Sequence, residues 1–225
     1  YAQCEENFKK VEENNLEMMG RLSEVYGESR LYGDLQMKLI YDTSAAIADY
    51  KRSPLWLKRL LDAAADGVNF YLYMHQEVKP LRLNHFEPWF ALLRTNGSIS
   101  ATQNGGITTH DMKELYPAKN NSISYLEKNS PFYEVEPTGS NGFAVSPKKT
   151  ISGHAIIYIN PHVTFYYRTE VHLVSDEGLN TYGAVTWGTF FVFQGFNPYC
   201  GWMHTSSYSD VADLFVEQTV NNNGA

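Results

Sequence analysis

The sequence predicts an α+β fold, with helices in the first half and an antiparallel sheet in the second. Apolar side chains recur at helical spacing in the first part of the chain. After residue 150 the chain changes to short runs rich in β-branched and aromatic residues, separated by turn residues. Residues 105–139 show no sustained period and are predicted to be a surface spacer. We therefore divide the chain into a helical segment (1–104), this spacer and a strand-rich segment (140–225).

Composition narrows the classes of function. The 225 residues, 43% of them hydrophobic, are enough for one large core or two modest ones. A formal net charge of −7 and the lack of a basic stripe argue against nucleic acid as a partner. No apolar run has the length of a membrane span, and the first residues lack the features of a signal peptide. We expect either a cytosolic protein or a chain that begins after its targeting segment.

Three helices are predicted in the first part of the chain. The first covers residues 4–26 and ends at Gly27, with Glu12 among the acidic residues of a face that we expect to be solvated rather than metal-binding. The second covers residues 35–50. The third begins at Ser53 as N-cap and Pro54 as first helical residue, and directs Leu60, among other residues, to the core. The aromatic run at residues 86–90 is predicted to be a turn packed on the body of the protein.

The strands are predicted from alternation and turn signals. They cover residues 155–159, 163–174 and 182–193, the last broken at Gly188. The turn at residues 176–178 indicates antiparallel neighbours. Cys4 and Cys200 are far apart in unlike surroundings, so neither a disulfide framework nor a cysteine metal site is expected.

The junction between the two halves holds the dipeptide Gly139-Ser140. Glycine permits backbone conformations that a Cβ would forbid, and a serine hydroxyl beside such a bond can attack the preceding carbonyl. After cleavage the new α-amine, with a pKa of roughly 7.7 to 8.0 in model compounds, can act as the base for the hydroxyl of the same residue. Taken alone, however, most Gly-Ser pairs are ordinary turns.

Other stretches make this dipeptide more specific. Together they resemble the penicillin acylase family of N-terminal nucleophile hydrolases, which includes cephalosporin and acyl-homoserine lactone acylases. The likeness covers most of the chain. It rests on residues 139–145, Thr150, Gly153, residues 160–162 and 201–217, and on the helical residues 20–24 and 65–71.

The resemblance implies roles for individual residues. Ser140 matches the nucleophile and Gly139 the residue before the cleaved bond. His162 matches a position beside the nucleophile, and Ser206 matches a residue whose backbone N–H is half of the oxyanion hole. The other half, an asparagine, lies further along in the family than residue 225, so we expect this chain to be a fragment.

The resemblance also implies a possible structural calcium at Asp210 and Asp213, although helix capping or solvation explains these residues as well. No other cofactor is expected. Cys200 and His204 are interpreted as structural. Trp202, Tyr166, Tyr167 and Tyr182 are candidates for an acyl pocket, with core packing as the default.

The implied fold is an αββα sandwich of the N-terminal nucleophile type, incomplete here. The implied activity is that of a self-processing acylase hydrolysing an acyl-amide bond in a periplasmic or secreted protein. Its partners would be a small acylated amide and the remainder of its own β-chain, with no nucleic acid and no membrane span. The alternatives are a secreted carbohydrate- or ligand-binding module, favoured by the aromatic content, and an inactive member of the fold.

Overall fold

The computed structural model describes residues 1–93, 108–117, 139–163 and 168–205. Helices in the first part and antiparallel strands in the second agree with the predicted α+β class. The helices are α1 (Ala2–Met18), α2 (Ser23–Tyr26), α3 (Leu31–Ile40), α4 (Thr43–Arg52), α5 (Leu55–Met74) and α6 (Thr109–Leu115), with 3₁₀ turns at Gly27–Arg30, Pro88–Leu93 and Pro147–Lys149. The strands are β1 (Ser140–Val145), β2 (Ile156–Pro161), β3 (Arg168–Val174), β4 (Asn180–Thr186), β5 (Gln194–Phe196) and β6 (Gly201–Trp202).

The first predicted helix is shorter than the spacing suggested. Helix α1 ends at Met18 because Gly20 takes a left-handed conformation, φ 61°. The N–H groups of Gly20 and Arg21 then bond the carbonyls of Glu17 and Leu16, which is the Schellman arrangement at a helix end. The remaining residues of the predicted helix form the separate short helix α2.

The second and third helices also begin and end at other residues than predicted. The predicted helix 35–50 is two helices, since Tyr41 is extended and Asp42 caps α4 by accepting from the N–H of Ser44. Ser53 does not cap α5. Its hydroxyl donates back to the Asp49 carbonyl at 2.7 Å, and Pro54 itself occupies the N-cap position.

One core joins the helices to the second half of the chain. Residues from α1, α5 and the segment 83–90 pack together with Trp187, which follows β4. Phe86 and Phe90 are buried in it, as the aromatic turn predicted. Leu60 was expected in the core but is 47% exposed, because the buried side of α5 is formed by Leu61 and other residues.

Glu12 corrects the interpretation of the acidic face of α1. Its side chain is 1% exposed, and its carboxylate accepts hydrogen bonds from three consecutive backbone N–H groups of residues 81–83, at 2.6 to 2.8 Å. A buried carboxylate needs such partners to offset its lost hydration. Glu12 therefore ties the loop after α5 to the first helix.

Part of the predicted spacer is ordered as helix α6. A capping box formed by Thr108 and Asp111 begins this helix, and Met112 packs against Tyr32 of α3. The other residues of the spacer, apart from Thr108, 116–117 and Gly139, lie outside the described residues. The division at residues 104 and 139 stays a prediction.

The strands form two antiparallel sheets, a hairpin β1–β2 and a four-stranded sheet in the order β3-β4-β5-β6. The predicted turn at 176–178 connects β3 and β4. The predicted strand 182–193 ends earlier, at Thr186, and Gly188 turns the chain with φ 82°. Residues 164–167 of the predicted strand 163–174 lie outside the described residues.

Helix α1 lies against the inner face of the four-stranded sheet. The side-chain amide of Gln3 donates to the Thr189 carbonyl at 2.7 Å and accepts from the Gly188 N–H at 2.9 Å. Asn14 donates to the Trp187 carbonyl at 3.2 Å. Polar side chains thus satisfy the backbone at the end of β4 where the helix meets it.

In the part of the chain that the structure describes, no helix is long and apolar enough to cross a membrane.

Candidate functional site

Ser140 is the first residue of β1, and Gly139 before it has φ 104°. This lies in the left-handed region, which glycine adopts readily and other residues do not. Among the described residues, no atom beyond its chain neighbours lies within 4 Å of where a Gly139 Cβ would be, so the backbone conformation rather than space favours glycine. The dipeptide combines a conformationally selected glycine with a serine held at the start of a strand.

The Ser140 hydroxyl is turned back towards the peptide bond that precedes it. Its Oγ donates to the Gly139 carbonyl oxygen at 2.7 Å. In this orientation the hydroxyl lies next to the carbonyl group that an N-to-O acyl shift would attack. The arrangement is compatible with cleavage of the 139–140 bond by Ser140 itself.

The main chain of Ser140 is held from another part of the chain. Across the hairpin Ser140 faces Pro161 in a pair that exchanges no backbone hydrogen bond, since proline has no N–H. The Ser140 carbonyl accepts from the hydroxyl of Thr205, at 2.9 Å. Residues 65 positions apart therefore meet at the proposed cleavage point.

The segment that carries Thr205 lies along one face of the hairpin. A Cβ on Gly142 would overlap Met203 Sδ, and a Cβ on Gly201 would lie 2.9 Å from Ile157 Cδ1. Ser140, Gly142 and Ile157 lie on the same face of β1–β2 according to the strand register. Alternate residues of 201–205 thus contact alternate positions of the hairpin face that holds Ser140.

His162 lies at the same end of the hairpin, next to its other face. Its Nε2 is 3.1 Å from Nδ2 of Asn141 and 3.4 Å from Nδ2 of Asn160, a cross-strand pair. Because amide NH₂ groups donate, this ring nitrogen accepts in the arrangement seen. Within the described residues no hydrogen bond connects His162 to Ser140.

The predicted metal and oxyanion residues lie outside the described residues: Ser206, Asp210 and Asp213, and with them Tyr166 and Tyr167 of the predicted acyl pocket. In the part of the chain that is described, no group of three or more His, Cys, Asp or Glu side chains is placed to hold a metal ion. The calcium and oxyanion assignments remain predictions.

The other aromatic candidates have structural contacts. Trp202 donates from Nε1 to the Val192 carbonyl at 3.1 Å, and the Tyr182 hydroxyl donates to Glu170 at 3.0 Å, which together with desolvation raises the pKa of Tyr182. The His204 ring packs on Phe193 with ring centroids 4.7 Å apart. These contacts fit the packing interpretation of the aromatic residues.

A cavity of about 260 Å³ lies between α1, α5 and the four-stranded sheet. Ala64, Val68, Val171 and Leu173 are among its lining residues, and Cys4 is another. Ser140, His162 and Thr205 are not among the residues that line it. Burial raises the pKa of the Cys4 thiol to about 11.

The penicillin amidase family matches residues 1–225. The chain belongs to this family. This confirms the resemblance that residues 139–162 and 201–217 indicated.

Curated relatives of this penicillin amidase family chain are acylases. It is 23% identical to acyl-homoserine lactone acylase QuiP of Pseudomonas fluorescens Pf-5, over 88% of this chain and 29% of that protein. Identity to QuiP of Pseudomonas aeruginosa PAO1 and to PvdQ of Pseudomonas fluorescens Pf0-1 is 21% in each case, over 97% and 96% of this chain and 31% of each relative. The chain therefore spans roughly a third of the length of these relatives. No solved structure matches it significantly.

Sequence reasoning singled out the 201–217 block but not Thr205 or Met203 within it. The available signal was the period of two that places Gly201, Met203 and Thr205 on one side of an extended segment. That period does not say which partner the segment contacts, so the pairing with Ser140 emerges only from the structure.

Proposed function

We propose that the chain is the part of a self-processing acylase that contains its N-terminal serine nucleophile, with an acyl-amide bond as substrate. The supporting observation is the arrangement at residues 139–140: a left-handed glycine, a serine hydroxyl 2.7 Å from the Gly139 carbonyl oxygen, and a distant segment bonded to the serine carbonyl. Membership of a family whose relatives are named acyl-homoserine lactone acylases supports the class of reaction.

Self-cleavage would begin with attack of Ser140 Oγ on the Gly139 carbonyl carbon. The C–N bond breaks, the nitrogen gains the proton that the hydroxyl loses, and an ester joins Gly139 to Oγ. Water hydrolyses this ester, which leaves a carboxylate on Gly139 and a free amine and hydroxyl on Ser140. One residue then supplies both nucleophile and base.

In the acylase reaction the Ser140 amine takes the hydroxyl proton as Oγ attacks the substrate carbonyl, and then gives it to the leaving amine. Water attacks the acyl-serine ester with the same amine as base. The Ser206 N–H and a second donor from further along the protein would bind the oxyanion. Thr205 bonds Ser140, so the chain comes within hydrogen-bond reach of the serine one residue before Ser206.

His162 enters the proposal as a neighbour of the nucleophile rather than as its base. Two amide groups already surround its Nε2, and an α-amine with a pKa near 8 is a sufficient base at neutral pH. Its contact with Asn141, the residue after Ser140, would hold this end of the hairpin in place.

The remaining features follow from the family. We propose an αββα sandwich of the N-terminal nucleophile type, whose other parts come from the remainder of the β-chain, and a division of the chain at residues 104 and 139. The proposed reaction does not use calcium. Asp210 and Asp213 are proposed only as carboxylate ligands of a structural calcium ion. A periplasmic or secreted location is proposed from the same family membership.

The decisive experiment is intact mass and N-terminal sequencing of the full-length protein, together with hydrolysis of N-acyl-homoserine lactones and penicillins. We expect a chain beginning Ser140-Asn141-Gly142, and loss of both cleavage and turnover in Ser140→Ala. An uncut wild-type protein, or a Ser140→Ala protein as active as wild type, would refute the proposal. Calcium is tested by metal analysis of Asp210→Ala/Asp213→Ala, where unchanged metal content removes that site.

A further inference from the structure

Ser140 begins β1, and its partner across the hairpin is Pro161, at the end of β2. In an antiparallel pair the facing residues alternate between those that exchange backbone hydrogen bonds and those that do not. Because Pro161 has no N–H, its pair with Ser140 is of the second kind, and the Ser140 carbonyl has no partner on β2. A first strand residue without such a partner is prone to fray, above all if it becomes a chain terminus.

Thr205 supplies a donor to this carbonyl. Its Oγ1 donates to the Ser140 carbonyl at 2.9 Å, although the Thr205 side chain is otherwise exposed. The Ser140 hydroxyl itself donates to the Gly139 carbonyl, on the far side of the proposed cut. Cleavage would remove that partner, whereas the bond from Thr205 would remain.

Two further contacts fix the segment that presents Thr205. Met203 packs against Gly142, and a Cβ on Gly142 would overlap the Met203 sulfur. Gly201 lies against Ile157 in the same way. The segment 201–205 is therefore held on the Ser140 face of the hairpin at three alternate residues, of which Thr205 reaches the serine.

From these contacts we infer that Thr205 is a positioning residue for the nucleophile: its hydroxyl holds the Ser140 main chain so that hydroxyl and amine keep their places once the 139–140 bond is cut. The inference rests on the proposed function. It assigns to a side chain a task that neither the nucleophile nor the oxyanion donors perform.

The test compares Thr205→Val, which keeps the shape and removes the hydroxyl, with Thr205→Ser, which keeps the hydroxyl. Thr150→Val is the matched control, because the Thr150 hydroxyl also donates to a backbone carbonyl, that of His154 at 2.7 Å. Each full-length variant is assayed for cleavage by intact mass, for thermal unfolding, and for kcat and KM on the N-acyl-homoserine lactone that the wild type hydrolyses best.

We expect Thr205→Val to lower kcat about tenfold with little change in KM, because one hydrogen bond to the reacting residue is lost. Thr205→Ser should recover most of the rate, and Thr150→Val should match wild type. Thr205→Ala serves as a second hydroxyl-free variant should valine lower the melting temperature.

The outcomes separate this inference from the proposed function. A cut, active wild type with Thr205→Val and Thr205→Ala at the wild-type kcat overturns the role of Thr205 alone, and so does a Thr205→Ser protein as slow as Thr205→Val. A wild type that is not cut, or an active Ser140→Ala, overturns the proposed function and this inference with it.

Discussion

Gly139 combines a positive φ with a contact to the next residue. Its φ is 104°, its carbonyl oxygen lies 2.7 Å from the Ser140 hydroxyl, and among the described residues nothing fills the space where a side chain would be. A methyl group would fit sterically but would disfavour this backbone conformation by about 1–2 kcal/mol. The geometry before the cut therefore depends on the missing Cβ.

Gly139→Ala should consequently slow self-cleavage by roughly tenfold. The positive φ is unfavourable for alanine, so the backbone of the variant should relax and move the carbonyl away from Ser140 Oγ. The measurement is the rate at which the chain beginning at Ser140 appears by mass spectrometry. Gly33→Ala is the control, because Gly33 lies in α3 without a positive φ and without neighbours near its would-be Cβ. Equal cleavage rates in the two variants would contradict the prediction.

The two cysteines should differ in reactivity. Cys4 is 1% exposed, and burial raises its pKa to about 11, so at neutral pH its thiol is protonated and unreactive. Cys200 is exposed. At pH 8 iodoacetamide should label Cys200 only, with Cys4 reacting after denaturation. The labelled cysteines are identified by peptide mass spectrometry. Labelling of Cys4 in the folded protein would contradict the burial of its side chain.

At the scale of elements, the attachment of α1 to the loop after α5 depends on one carboxylate. Both oxygens of Glu12 accept backbone N–H groups, Leu81 on one and Arg82 and Leu83 on the other. An amide in its place would turn an NH₂ group towards at least one of these donors. The loop would lose a charge-assisted contact that water cannot replace in the core.

Glu12→Gln should lower the free energy of unfolding by about 3 kcal/mol, measured by urea denaturation of the full-length protein. Glu17→Gln on the same helix is the matched control. Glu17 pairs with Arg30 at 3.1 Å near the surface, and such a pair contributes less than about 1 kcal/mol. Similar losses for the two variants would mean that the bonds of Glu12 add nothing beyond a surface ion pair.

Elements were predictable from sequence where side-chain spacing decides them, and less so where a single backbone contact does. The turn at 176–178 and the aromatic packing of residues 86–90 follow from local signals. The end of α1 at Met18 depends on Gly20, whose Cβ would lie 2.5 Å from the Asp34 carbonyl oxygen. That contact is long-range, so the helical period alone extended the helix too far.

At the scale of the molecule, the α+β class and the family were accessible from the sequence, but the neighbours of Ser140 were not. The Gly-Ser pair, His162 and the 201–217 block indicated the family, which the match over residues 1–225 confirms. Glu12 was predicted on a solvated face because charge alone does not tell which carboxylate meets backbone N–H groups from a loop about 70 residues away. Thr205 was missed for the same reason: its partner lies in another strand pair.

The bonds of Gln3 and Asn14 to the end of β4 have a further consequence for assembly. They join residues on opposite sides of the 139–140 bond, and Trp187 from the later side is buried in the core of α1 and α5. If that bond is cut as proposed, these contacts would become a subunit interface without the concentrating effect of a covalent connection. We expect the two pieces to migrate as one species in size-exclusion chromatography and to separate only in denaturant; separation on dilution in native buffer would contradict this. The helix that begins the fold would then also be what keeps a divided protein in one piece.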